Sequence, residues 1–160
     1  EAIEAIRQLK ARYCEICDDS HNPKEIVTIF TEDGIWEGEG IGRAEGHEEI
    51  SALFFSFQSE ISFSQHMVQN PVIDVTGDTA VARWYFFGMF KFFRNESRRW
   101  QTARYHESYK RVAGEWKIKH LKKLSMLYYK SMINFEILGL GLVIAVIIYY
   151  LMRIFFFLTH

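Results

Sequence analysis

From the third position onward, apolar residues recur at three- and four-residue intervals: Ile3, Ile6, Leu9, Tyr13 and Ile16. That spacing puts them on one stripe of a helix. Asn22-Pro23-Lys24-Glu25 then offers a cap, a proline at the first helical position and a glutamate at the capping-box position. A second, short helix is therefore predicted, burying Ile26, Val27, Ile29 and Phe30. Thr31-Glu32-Asp33-Gly34 ends it, and Ile35-Trp36 begins an extended segment. Glycines at 38, 40, 42 and 46 mark a loop, after which His47 to Phe57 reads as a third helix with Ile50, Leu53, Phe54 and Phe57 on its apolar side.

Beyond residue 60 the period changes to two. Ile61 to Val68 reads as a strand, and Val72–Val75 and Thr79–Lys91 flank a turn at Thr76-Gly77-Asp78, giving a hairpin with a long return arm. Arg98–Arg111 and Glu115–Leu124 form a second hairpin around Ala113-Gly114. Helices first and an antiparallel meander afterwards predict an α+β fold, with the helices covering one face of a curved sheet. The long arm has bulky residues on both parities: Tyr85, Phe87 and Met89 on one, Trp84, Phe86 and Phe90 on the other. One face is expected to line an interior pocket and the other to pack between subunits of a homodimer.

A compositional break near Tyr129 divides the chain into a domain over 1–125 and a hydrophobic tail over 126–160. Residues 137–158 contain one charge, Arg153, and would extend about 33 Å as a helix, close to the thickness of a bilayer core. Lys119, Lys122, Lys123 and Lys130 precede this run, which favours a cytoplasmic domain anchored to a membrane by its C-terminal segment. A packed helix or strand, or a tail foreign to the domain, are the alternatives.

Composition narrows the classes. With 49% hydrophobic residues the chain is too apolar for disorder, and two cysteines cannot build a disulfide scaffold. Net charge is -1, which speaks against a nucleic-acid partner. The charge is unevenly spread, however. Residues 1–60 carry 14 acidic and 5 basic side chains, and residues 61–125 carry 5 acidic and 12 basic.

Among polar residues, Asp18 follows the first apolar helix and His66 sits within a Ser/Gln/aromatic strand. An Asp–His pair can move a proton, orient a water or clamp a ligand. His106 alternates with Tyr105 and Tyr109 and should point away from their face, whereas Glu107 shares that face and is a candidate polar pocket residue. His120 shares parity with Trp116 and Ile118, which leaves it either inside or at an edge. The six histidines are too dispersed for a metal site. Cys14-Glu15-Ile16-Cys17 lacks the βαβ context of a redox motif, and Gly38-Glu39-Gly40-Ile41-Gly42 lacks the full dinucleotide pattern; the glycines fit a lid or tight loop.

Five segments together resemble the SnoaL-like branch of the nuclear-transport-factor-2-like superfamily, in the company of ketosteroid isomerases and scytalone dehydratase. They are Tyr13 to Asp18, Phe30 to Trp36, Ser64 to Asn70, Val72 to Ala80 and Tyr105 to Ile118, and the resemblance covers residues 2–124. It implies an α+β cone in which N-terminal helices and a curved antiparallel sheet enclose an apolar pocket, often in a dimer. In dehydratase-like members an aspartate after the first helix and a histidine on this strand handle protons and water; those positions are Asp18 and His66. The second histidine of that family falls at Lys91, and its substrate-holding serine and asparagine fall near Ala103 and Tyr105. The implied activity is acid–base lyase or isomerase chemistry on a small, mostly apolar carbonyl or hydroxylated compound. His66 would move the proton, Asp18 would steady the imidazolium, and Trp36, Tyr85, Phe87, Lys91 and Tyr105 would contact substrate. No metal or organic cofactor is called for. The alternative is a noncatalytic ligand-binding or membrane-tethered assembly domain.

Overall fold

The computed structural model describes residues 1–94, 96–131 and 149. Residues 1–130 form one compact unit. Helix α1 (Ala2–Asp19) and the short α2 (Pro23–Ile26), which runs on into a 3-10 turn over Val27–Ile29, come first. Strands β1 (Phe30–Gly38) and β2 (Gly42–Glu45) follow, then α3 (Gly46–Glu60). The chain then lays down β3 (Ile61–Thr76), β4 (Thr79–Phe92), β5 (Arg98–Val112) and β6 (Glu115–Ser131).

The cap of α2 forms as its sequence dictates: Asn22 Oδ1 accepts from the backbone N–H of Lys24 at 3.0 Å and of Glu25 at 3.4 Å, with Pro23 at a position that needs no donor. In α1 the buried positions are Ile6, Lys10, Tyr13, Cys14, Ile16 and Cys17, while Ile3 is exposed. The inner stripe is thus rotated from the one read off the apolar residues, and it carries a lysine inside. Ile50 and Phe54 anchor α3. These side chains meet Trp36, Phe86, Tyr105, Ile118 and Leu121 from the sheet in one core.

The six strands are ordered β2-β1-β6-β5-β4-β3. Pairing is antiparallel for β1 with β2, β3 with β4 and β4 with β5, but parallel for β1 with β6. The α+β class stands, but the curved, wholly antiparallel cone does not: the sheet is mixed and open, with β2 and β3 as its edges, and is neither closed nor strongly curled. The cause is the crossing made by α3, which carries the chain from one edge to the other. β3 therefore enters along the direction of β2, and three reversals later β6 runs beside β1 in the same sense.

The strand expected over Ile61–Val68 and the short arm Val72–Val75 are one strand, β3, interrupted by a register shift between Gln69 and Val72. Pro71 has no N–H to give the ladder, and Asn70 takes a positive φ of 51°, so the irregularity sits where the ladder is weakest. The membrane-spanning helix expected from the sequence is also corrected. No helix among the described residues is long and apolar enough to cross a membrane, and residues 137–158, where it was placed, lie outside the described residues apart from Tyr149.

Candidate active site

A cavity of about 490 Å³ opens between the helices and the inner face of the sheet. Aromatic rings form much of its wall, with Tyr13 from α1, Trp36 from β1, Phe54 and Phe57 from α3, Phe90 from β4 and Tyr105 from β5, and Glu39, Glu60, Arg99 and Lys123 are the charged side chains that line it. Two of its strands use the same local device, an aromatic residue two positions before a glycine. A Cβ on Gly38 would lie 2.6 Å from the Trp36 ring, and one on Gly88 would collide with the ring of Phe86. Each ring therefore lies down over bare backbone instead of standing up into the space.

His66 lines this cavity, and Asp18, 48 residues earlier in the chain, meets His66 without lining the cavity itself. Asp18 lies in the last turn of α1. Ser64 Oγ of β3 donates to the carbonyl of Cys17 at 2.8 Å, pinning that helix end to the strand. Because β3 is an edge, a backbone N–H can turn away from the ladder; that of His66 donates to Asp18 Oδ2 at 2.9 Å. His66 Nδ1 lies 2.6 Å from Asp18 Oδ1. A carboxylate in that position makes Nδ1 the protonated nitrogen and leaves the lone pair on Nε2.

The imidazole packs against Phe86 and Phe90, with centroids 5.2 and 5.4 Å away, and lines the cavity. Burial holds its pKa below the ordinary 6.5, and hydrogen bonding to Asp18 only partly offsets this. The ring is therefore neutral at pH 7 and able to accept a proton, while the adjacent carboxylate can stabilise the imidazolium once formed.

Of the expected substrate contacts, Trp36 and Tyr105 line the cavity; Tyr85, Phe87 and Lys91 do not. Tyr85 is exposed and accepts from Arg104 at 3.1 Å, Phe87 packs on Trp100, and Lys91 pairs with Glu96 at 3.2 Å. The reason is strand parity: in β4 the even positions from Ala80 to Gly88 are buried and the odd ones face outward. Both parities of that arm are aromatic, so composition could not choose between them.

Sequence reasoning passed over several cavity residues. Tyr13 belongs to the helix stripe, and its hydroxyl accepts from Trp36 Nε1 at 2.9 Å. His21 follows α1, is buried with φ 51°, and stacks edge-on to Phe57 and His66. Lys123 is buried too, and its Nζ donates to Gln101 Oε1 at 2.8 Å. Its inward aim was masked by a change of phase in β6. Trp116 and Ile118 are buried, but so are Leu121 and Lys123, so the inner parity switches where the β1–β6 register shifts. His120 consequently sits half-buried against Glu37 at 3.2 Å, outside the cavity.

Cys14 and Cys17 are both buried, and burial pushes the Cys14 thiol up to about 11 and that of Cys17 higher still, which is the wrong direction for a redox thiolate. Among the described residues, no group of three or more His, Cys, Asp or Glu side chains is placed to hold a metal ion.

Burial pushes His21 down to about 4 from an ordinary 6.5. The folded state thus resists a proton that the unfolded chain accepts, so the stability His21 contributes is full above 6.5 and is lost as pH falls toward 4. Urea unfolding followed across this range should show a loss of roughly 3 kcal/mol at most from this group. His21→Asn, which tolerates the positive φ, should flatten the slope, leaving the parts due to His66 and, near pH 4, to the ion-paired carboxylates of Glu37 and Asp33. An unchanged slope in that variant would show that His21 is not buried in its neutral form.

The profile of a family described as a SnoaL-like domain matches residues 1–122. No curated protein matches the chain in sequence. Several solved structures share its fold. A hexachlorocyclohexane dehydrochlorinase of LinA type 2 superposes with a TM-score of 0.76 at 19% identity, over 83% of this chain and 91% of that one. The LinA-type3 hexachlorocyclohexane dehydrochlorinase of Novosphingobium barchaimii LL02 gives 0.73 at 20% identity, over 82% and 90%. A nuclear transport factor 2 (NTF2-like) superfamily protein of Salmonella enterica serovar Typhimurium gives 0.71 at 18%, over 78% and 90%.

Proposed function

The chain belongs to the SnoaL-like domain family, and on that footing we propose that it is an acid–base lyase or isomerase acting on a small, mostly apolar carbonyl or hydroxylated compound. One observation carries the reading: His66 and Asp18 meet at 2.6 Å at the wall of an aromatic cavity. The dehydrochlorinases that share the fold are eliminating enzymes by name, which suits the same class of chemistry.

The step is a proton transfer from carbon. His66 Nε2 takes a C–H proton and becomes imidazolium, while the C–H electron pair moves into the adjoining carbonyl to make an enolate. Return of that proton to a different carbon is isomerisation. If a hydroxyl stands on the β carbon, the pair instead forms C=C as the C–O bond breaks, and the imidazolium proton leaves with the oxygen as water. Asp18 keeps Nε2 facing the substrate and compensates the imidazolium charge.

The test needs no natural substrate. β-Tetralone, a benzo-fused cyclic ketone with acidic C–H bonds beside its carbonyl, is incubated with protein in D₂O and deuterium uptake is followed by NMR. The wild-type rate should rise with pH through a midpoint below 6.5, as His66 sheds its proton, and then level off. Asp18→Asn removes the charge that favours the imidazolium. It should lower the plateau by about 10²-fold and move the midpoint further down in pH. A profile with no acid limb would take His66 out of the base role. Saturable binding of the ketone without exchange, in wild type and variant alike, would point to a noncatalytic binding domain.

A further inference from the structure

The mechanism above leaves unused the buried ammonium of Lys123, which lines the cavity. We propose that Lys123 is the site that receives the substrate's charge-bearing oxygen, so that the ligand is a carbonyl compound activated at its neighbouring C–H and held by its oxygen on this ammonium. The inference rests on the reading of His66 as the base and adds to it the position and chemistry of the substrate's polar end.

Lys123 projects from β6 into the same cavity as His66, and both lie against the same two rings: its Nζ is 4.8 Å from the centroid of Phe86 and 5.5 Å from that of Phe90. An ammonium has three protons to give. One goes to Gln101 Oε1, and the amide nitrogen of Gln101 in turn donates to Ser125 Oγ at 2.7 Å, which fixes the orientation of that carboxamide. Among the described residues no carboxylate forms an ion pair with Lys123.

The contrast with Lys10 is instructive. Lys10 is also buried but is matched by Glu107 at 2.5 Å. The chain has therefore buried two lysines in one core, supplying a counter-charge to the first and only a neutral amide and ring faces to the second. A buried cation without a counter-ion carries a large desolvation cost, which a ligand oxygen bearing negative charge would relieve.

Burial accordingly pushes Lys123 down to about 8, which still leaves the ammonium the main form at pH 7. Its charge in turn disfavours the protonated forms of His66 and His21, as expected for groups facing one space. Because His66 and Lys123 line one cavity and lie against the same two rings, a cyclic ketone held there can present its C–H to Nε2 and its oxygen to Nζ. A donor set out in advance at the place where charge develops acts on the transition state more than on the ground state.

p-Nitrophenol is a suitable probe because its phenolate imitates an enolate oxygen and its colour reports ionisation. Wild-type protein should bind the phenolate in preference to the neutral phenol. Lys123→Met should lose that preference by about tenfold to a hundredfold, and Lys123→Arg should keep most of it. His66→Asn should retain it.

In β-tetralone exchange, Lys123→Met should fall about 10²- to 10³-fold with its acid limb still present. Equal phenolate preference in wild type and Lys123→Met would overturn the assignment. If Lys123→Met fails to fold, wild-type protein compared on p-nitrophenol and on p-nitrotoluene, which has no ionisable oxygen, decides it: equal affinity refutes the site. Phenolate preference that depends on Lys123 while wild-type exchange is absent would instead remove the base reading and leave the oxygen site standing.

Discussion

His66→Asn should fold like wild type yet exchange β-tetralone protons about 10²- to 10⁴-fold more slowly, the range that a positioned general base supplies. Asparagine keeps the backbone N–H that donates to Asp18 Oδ2 and offers a side-chain N–H in place of Nδ1, so the link between α1 and β3 is preserved. What is lost is the Nε2 lone pair alone. Binding of p-nitrophenolate should be nearly unchanged, since the oxygen end of the cavity is untouched, and the decrease should therefore appear in kcat rather than KM. Circular dichroism and the urea midpoint establish that the variant is folded. A folded His66→Asn protein that exchanges protons at the wild-type rate would exclude this imidazole as the base.

The second large effect lies behind the cavity wall. Lys10 Nζ donates to Glu107 Oε1 with both side chains fully buried. Glu107 Oε2 also accepts from the Tyr109 hydroxyl, and that hydroxyl in turn accepts from Trp84 Nε1 at 3.3 Å. Lys10 further stacks over Tyr105 at 3.5 Å and Tyr13 at 4.4 Å, two rings of the cavity. Removing one member leaves the other charge buried and alone.

Glu107→Leu should therefore cost about 3–5 kcal/mol, a large share of the total stability of an ordinary domain. Lys10→Met combined with Glu107→Leu should recover most of that loss, because a well-packed apolar pair avoids desolvating either charge. Urea unfolding of the two single variants and the double variant measures the coupling directly. Single variants within about 1 kcal/mol of wild type would mean that this pair is hydrated rather than buried.

Much of the molecule was legible before any coordinates. The first and third helices, the turn at Gly77, the hairpin turn at Ala113-Gly114 and the cap at Asn22 follow from local chemistry and appear where the pattern places them, whereas the second helix is shorter than its pattern implies: after Pro23–Ile26 and a 3-10 turn, β1 begins at Phe30. The contact between Asp18 and His66 came from a resemblance, not from spacing, since no local rule joins residues 48 apart. Glu107 was recognisable as inward because it alternates with Tyr105 and Tyr109 on a regular strand. Its partner was not, because a lysine on a helix normally reads as solvated and the inner stripe of α1 had been drawn through Ile3 instead.

The sequence by itself determined the order of the elements other than β2, which lies in a glycine-marked stretch that reads as loop, together with the α+β class and an aromatic interior, because these depend on periodicity and turn chemistry within short windows. Only the tertiary structure decided which sides of β4 and β6 face the cavity, because β4 is aromatic on both faces and a one-residue change of phase in β6 turns Lys123 in and His120 out. It also decided that β6 lies parallel to β1 in an open sheet, since that follows from the edge to which α3 delivers the chain. The oxygen site proposed at Lys123 rests on this second group of features: the fold buries that lysine, and among the described residues no carboxylate forms an ion pair with it.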